Sequence, residues 1–163
     1  MPTSLLSLLT DLLTRKTPKA FDLDDPRLAV AVLMFHVIAV DGAVKPEERA
    51  RFIGELASRY DLDAADAEAL AEAARAVERE TVDLGAFTSG LQRRLAPEEL
   101  RGVVRSLWDM VLIDGELHEF EDNIVWRIGD LLGLEPAERI ALRKEVEAEH
   151  AEAAARARLE TER

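Results

Sequence analysis

The stretch from Arg27 to Val40, `RLAVAVLMFHVIAV`, is apolar on almost every side of a helix. Such a helix cannot lie on the surface of a water-soluble fold. It has to be surrounded, so the rest of the chain must supply amphipathic helices to jacket it. The run is too short to cross a bilayer, and no other run reaches that length. Elsewhere, apolar residues also recur at helical spacing. Phe52, Ile53, Leu56 and Tyr60 share one face, Leu100, Val103, Val104, Leu107, Trp108, Val111 and Leu112 another, and Ile124, Val125, Ile128, Leu131 and Leu132 a third. No alternating stretch bounded by turn residues reads as a strand. The expected fold class is all-α, a single-domain helical bundle of about eight helices.

Local punctuation places the ends. Asp25-Pro26, Pro46, Asp63, Asp83, Pro97 and Pro136 open helices, because Asp caps a helix N-terminus and Pro fits its first turn. Gly42, Gly115 and Gly133 close them. An internal repeat orders this list. Placing Asp41 on Asp114 also aligns Phe35 with Trp108, Val44 with Leu117 and Glu48 with Glu121; one gap later, Leu62 meets Leu134. Each copy therefore reads helix, Asp-Gly turn, helix, short turn, helix, and such duplications pack about a pseudo-dyad. The expected organisation is an N-terminal amphipathic helix and loop over residues 1–25, a helical domain over 26–148 and a charged helical tail over 149–163. Within the domain, repeat one covers 26–80, a linker helix 83–95 and repeat two 97–148. Leu5, Leu6, Leu8, Leu9, Leu12 and Leu13 lie on one helical face, which reads as a helix docking on the body. It lacks the basic start and cleavage site of an export signal. The alternative of a membrane-surface helix is weaker, since its polar face is not basic.

Composition narrows the function classes. Of 163 residues, none is Cys, which removes disulfides, thiolate metal sites and cysteine nucleophiles. The formal net charge of −12 repels phosphate backbones and anionic lipid. The expected partners are therefore other proteins, with no nucleic acid and no stable membrane insertion, in a cytoplasmic setting; the oligomeric state stays open. No Gly-rich phosphate loop, serine elbow or HExxH occurs, so an enzyme has no specific foothold.

The Asp-Gly turns carry what chemistry there is. A helix C-terminus bears partial negative charge, so an Asp there costs a few tenths to about 1 kcal/mol. The chain places one there twice, at Asp41 and Asp114, and aims a second carboxylate back from the next helix each time, at Glu48 and Glu121. A bound cation would remove the repulsion. `DGAVKPEE` and `DGELHEFE` have the spacing of the second half of a calcium-binding EF-hand loop, but the first half is absent. All-oxygen donors suit calcium, magnesium or manganese. Glu47, Glu116, Glu119 and Asp122 stand nearby as further candidate ligands. The structural alternative needs no ion: Gly supplies the left-handed residue, Asp tolerates turns, and Glu favours the positive end of the next helix.

The duplicated pattern of apolar helix, Asp-Gly, hydrophobe and Glu, with Trp108 before Asp114 and `LLGLEP` after it, resembles the TerB-like family. That family covers tellurite-resistance TerB proteins and the N-terminal domain of DjlA-type co-chaperones. The resemblance spans roughly residues 26–148. It implies an all-helical fold of two related halves, divalent metal at acidic positions that map onto Asp41, Glu48, Asp114 and Glu121, a role in chemical stress within larger complexes, and no enzymatic activity. Lys45-Pro46 departs from the pattern by placing a cation beside the first turn, which favours the second.

The remaining candidates read as structural. His36 is expected to be a core or pocket histidine with one hydrogen bond, and a contact with its repeat equivalent Asp109 is conceivable. His118 is expected at a solvated helix start and His150 at the surface. Glu147 and His150 share a helix face, but the second Glu-His pair of a di-iron bundle is missing. Trp108 and Trp126 are expected in the core. The leading functional reading is a non-enzymatic stress-response or adaptor module that binds a divalent cation. The alternative is a metal-free interaction domain whose acidic surface or N-terminal helix docks a partner. A carboxylate-metal enzyme ranks last.

Overall fold

The structure, a computed structural model, describes residues 25–40, 42–80, 83–112 and 119–163. Among these the chain forms seven helices and no strand: α1 (Pro26–Ile38), α2 (Pro46–Tyr60), α3 (Ala64–Glu80), α4 (Leu84–Arg94), α5 (Pro97–Leu112), α6 (Glu119–Leu131) and α7 (Pro136–Thr161). The further helix expected over residues 5–13 lies outside the described residues. The two copies of the repeat are α1–α3 and α5–α7, and α4 joins them.

Helix α1 is the hub. All of its residues except Pro26, Arg27 and His36 are buried, and Ala31, Val32, Leu33, Met34 and Val37 are wholly inaccessible. It touches every other helix except α7, which packs on α5 and α6 instead. Burying each large aliphatic side chain contributes roughly 1.5–3 kcal/mol, so this one helix carries a large share of the apolar driving force. The facing stripes are those the spacing predicts: Phe52 and Leu56 from α2, Leu70 and Ala74 from α3, Leu91 from α4, Val103, Val104, Leu107 and Trp108 from α5, and Val125 and Ile128 from α6. The halves are also tied by a polar link. Arg59 at the end of α2 donates to Ser106 Oγ at 2.9 Å and to the Gly102 carbonyl at 3.3 Å, both on α5.

The starts fall where local chemistry puts them. The Asp25 carboxylate accepts from the Arg27 backbone N–H at 2.9 Å and from its guanidinium at 2.8 Å. Asp63 and Asp83 accept from the N–H of Asp66 and Ala86. One end differs from expectation. Helix α1 stops at Ile38, and Gly42, at φ 89°, accepts no capping role; its N–H donates to the Ala39 carbonyl and closes a separate turn. In sequence Asp41 is two residues past the C-cap Ala39 rather than at the helix end itself. The tail is helical through Thr161, with residues 151–163 fully on the surface.

The short turn between second and third helices is the same in both copies. Leu62 donates back to the Ala57 carbonyl at 3.0 Å, and Leu134 to the Gly129 carbonyl at 3.1 Å. The pivot is left-handed in each case: Gly133 at φ 87° in the second copy, but Asp61 at φ 51° in the first. Glycine takes this conformation without steric cost and other residues do not. Asp61→Gly is accordingly expected to raise stability by roughly 0.5 kcal/mol, about 1–2 °C in melting temperature, measured by thermal unfolding.

A pH dependence follows from the first cap. Hydrogen bonds from the Arg27 side chain hold the Asp25 carboxyl below its ordinary value, against the opposing pull of burial. A group depressed in this way stabilises the fold above its unfolded-state value, about 4, and loses that contribution as pH falls through the folded value. Asp25→Ala should cost about 1 kcal/mol at neutral pH. In urea titrations, the difference from the parent should shrink steadily below about pH 4.

Candidate functional site

In each copy the first and second helices, which the Asp-Gly segment joins in sequence, meet through an aromatic pair. In the first copy Phe35 of α1 meets Phe52 of α2 with ring centroids 5.8 Å apart. In the second, Trp108 of α5 meets Trp126 of α6 edge-on at 5.4 Å. Both Trp residues belong to the core, as expected: Trp108 is inaccessible and Trp126 packs against the buried cluster. Asp41 and Asp114, together with Glu116 and His118, lie outside the described residues. The glutamates that start the second helices are described, and they differ.

Glu48 is half-buried in the first turn of α2. Its Oε2 is buried and has no hydrogen-bond partner. An acceptor left in this state costs about 1–3 kcal/mol or more for a charged group. Lys45, the cation expected to crowd this turn, is exposed and caps α2 through its backbone position alone, with no side-chain bond. The neighbouring Arg49 points away to α3, bonding Glu68 at 3.1 Å and Glu72 at 2.9 Å. Glu47 is exposed. Of the two neighbouring cations, Arg49 is thus paired with α3 and Lys45 is exposed.

The second copy is arranged differently. Glu121 is half-buried and already engaged. Asp122 Oδ1 is ion-paired to Arg143 Nη1 of α7 at 2.8 Å, so this candidate ligand holds a guanidinium. Glu119 is exposed. Arg143 stacks over both Trp108 and Trp126, 5.2 and 5.9 Å from their ring centres, and its Nε donates to Glu147 at 2.9 Å. Arg139 lies over Trp126 and donates to its carbonyl. The buried atoms without a hydrogen-bond partner here are Trp108 Nε1, Arg139 Nε and Asp122 Oδ1. The first two are donors, of the wrong polarity for a cation, and the carboxylate oxygen already faces the Arg143 guanidinium as an ion pair. The two copies also reverse their charges. By the repeat alignment, Arg49 corresponds to Asp122, while Arg139 and Arg143 correspond to Ala67 and Ala71.

Residues 27–144 match the family model described as tellurite resistance protein TerB. The chain belongs to the TerB family. No curated protein and no solved structure matches it. The TerB match covers both copies of the repeat and the linker helix, and it stops inside α7 before the exposed tail.

His36 is half-buried with a hydrogen-bond partner, as expected, but its partner and the placement of His150 differ from expectation. His36 Nδ1 faces Glu78 Oε1 on α3 at 3.3 Å, not Asp109. Asp109 instead meets His150 Nε2 at 2.6 Å, and the His150 side chain is three-quarters buried rather than at the surface. The pairing docks α7 on α5, reinforced by Arg105, which bonds Glu145 at 3.2 Å and Glu149. Glu147 is committed to Arg143, so it and His150 do not form a ligand pair. Among the described residues, no three acidic or histidine side chains gather closely enough to hold a metal ion. Any such centre would require a residue outside the described ones, such as Asp41, Asp114, Glu116 or His118.

The Arg143 arrangement has a measurable weight. Arg143→Met removes a cation stacked on two indoles and leaves Asp122 half-buried without its partner. Stability should fall by about 2 kcal/mol, roughly 4–8 °C. Arg143→Lys should recover less than half of the loss, because an ammonium cannot reproduce the planar stack. Thermal unfolding followed by tryptophan fluorescence reads both.

Proposed function

We propose that this TerB-family protein is a non-enzymatic stress-response or adaptor module that binds a divalent cation at its Asp-Gly turns and acts through other proteins in the cytoplasm. The observation that supports cation binding is Glu48 Oε2, a buried acceptor without a partner at the position where the sequence pattern expects a ligand. Glu48 with Asp41 would hold the ion in the first turn, and Glu121 with Asp114 in the second. Calcium, magnesium or manganese suits such donors. The ion would supply charge neutralisation, linking the end of one helix to the start of the next. The support falls more on the first turn than on the second, where Glu121 is engaged and Asp122 is held by Arg143. A role in tellurite resistance rests on the description of the family alone.

A second reading is a metal-free interaction domain. It draws on the position of Glu47 and Glu48 in the first turn of α2, where the helix dipole favours a carboxylate without any ion.

Calorimetry with calcium, magnesium and manganese separates the two. The cation reading expects heat of binding for the parent, lost in Asp41→Asn with Glu48→Gln and reduced less in Asp114→Asn with Glu121→Gln. At a hundredfold excess over its dissociation constant, the ion should add about 2.7 kcal/mol to stability. Equal heats for parent and variants, with a melting temperature indifferent to chelator, would establish the metal-free reading instead.

A further inference from the structure

Two of the chain's 3 histidines belong to one equivalent pair of positions in the duplicated plan. With Asp41 laid on Asp114, His36 of α1 falls on Asp109 of α5. Past the single gap that lays Leu62 on Leu134, Glu78 of α3 falls on His150 of α7. The fold joins these four residues in two pairs. His36 Nδ1 lies 3.3 Å from Glu78 Oε1, and His150 Nε2 lies 2.6 Å from Asp109 Oδ1. The first and third helices of each copy are thus clasped at the same point by one imidazole and one carboxylate, and the two partners are exchanged between the copies.

We propose that these clasps form a proton-sensitive device: both tighten as pH falls from about 8 to about 5.5, holding α3 and α7 on the first helix of their copy. The choice of residue supports this. The inter-helix pairs of Arg49, Arg105, Arg139 and Arg143 use a side chain that keeps its charge throughout this range. Both clasps use histidine instead, although the chain has 21 Lys and Arg against 3 His. Histidine is the side chain that changes charge between pH 5 and 8. A neutral ring offers a carboxylate one hydrogen bond at most. A protonated ring adds opposite charge, and carboxylates titrate only near pH 4. The charged ring is the better bonded form, so the contribution is present below the range in which free histidine titrates, about pH 6.5, and is lost as pH rises through it.

The neighbouring charges leave each clasp to itself. Around His150, α5 also presents Arg105, which Glu145 and Glu149 of α7 hold. On α7, Glu147 is taken by Arg143. Helix α6 meets α7 through Asp122 with Arg143 and Asp130 with Arg139, about two and three turns before His150. Beside Asp109, Arg51 and Glu55 of α2 line a cleft. For His36, the other charged groups of α3 are tied among themselves and to α2: Arg49 holds Glu68 and Glu72, and Arg75 lies 3.9 Å from Glu72. The buried Glu48 Oε2 of α2 has no hydrogen-bond partner. Helices α4, α5 and α6 meet α1 through the apolar cluster. His36 also stands in the last turn of α1, whose partial negative charge favours a cation. The two rings are only 20% and 24% exposed, so water screens the pairs in part.

Urea unfolding of the full chain at pH 5.5 and pH 8, followed by tryptophan fluorescence, tests the device. Chelator in the buffer keeps cation binding at the Asp-Gly turns out of the comparison, and reading each variant against the parent cancels groups outside the clasps. His36→Gln with His150→Gln keeps a neutral polar side chain at each place. It should raise the unfolding equilibrium constant about tenfold at pH 5.5 and about twofold at pH 8. Glu78→Gln with Asp109→Asn should show the same pH dependence, because the amides accept a hydrogen bond without the charge. Asp109→His with His150→Glu gives the second copy the polarity of the first, and should stay within about twofold of the parent at both pH values. A histidine variant whose difference from the parent is equal at both pH values, or larger at pH 8, would overturn the proposal. So would an amide variant that matches the parent, or an exchanged clasp that behaves like the histidine variant.

Discussion

A helix with no polar face dictates this architecture. Once α1 is formed, its apolar surface points in every direction, and only a closed ring of neighbours removes it from water. The helices around it need supply just one apolar stripe each, which is why α2, α3, α4, α5 and α6 can carry so much charge on their outer faces. The chain reconciles a third of charged residues with a dry core by concentrating hydrophobicity in one element and spreading charge over the rest. Helix α7, the one that does not touch α1, is held by ion pairs to a degree the others are not: Arg105 with Glu145 and Glu149, Asp109 with His150, and Asp122 with Arg143.

Much of the fold was legible because its signals are local. The prolines at 26, 46, 97 and 136 and the caps at Asp25, Asp63 and Asp83 act within a turn of the chain, so their meaning does not depend on what packs nearby. Core stripes were legible for the same reason. The end of α1 was not, since Gly42 was read as a stop and instead closes a turn beyond the helix. The ion pairs were not either. Whether His36 meets Asp109 or Glu78 depends on how helices are rotated against one another, and a single sequence holds no record of that. One signal was available and unused: once Asp41 is laid on Asp114, Arg49 falls on Asp122 and two arginines fall on two alanines, which marks the copies as electrostatically distinct.

The candidate site is half legible in the same sense. That Glu48 and Glu121 stand at equivalent helix starts follows from spacing. That Glu48 leaves a buried oxygen unmatched while Glu121 is already engaged follows from packing. The TerB family match, residues 27–144, spans both copies of the duplicated helical plan. No helix among the described residues is long and apolar enough to cross a membrane.

The reversed charges have a consequence for assembly. A chain that contains the same unit twice can mispair, the second helix of one unit lying against the third helix of the other. Here, α2 laid on α7 would bring Arg49 towards Arg143, and α6 laid on α3 would bring Asp122 towards Glu68 and Glu72. Like charges would meet in both exchanges, whereas the native arrangement joins opposites. The divergence between copies thus lets each unit tell its own third helix from its sibling's while the shared apolar pattern alone would accept either.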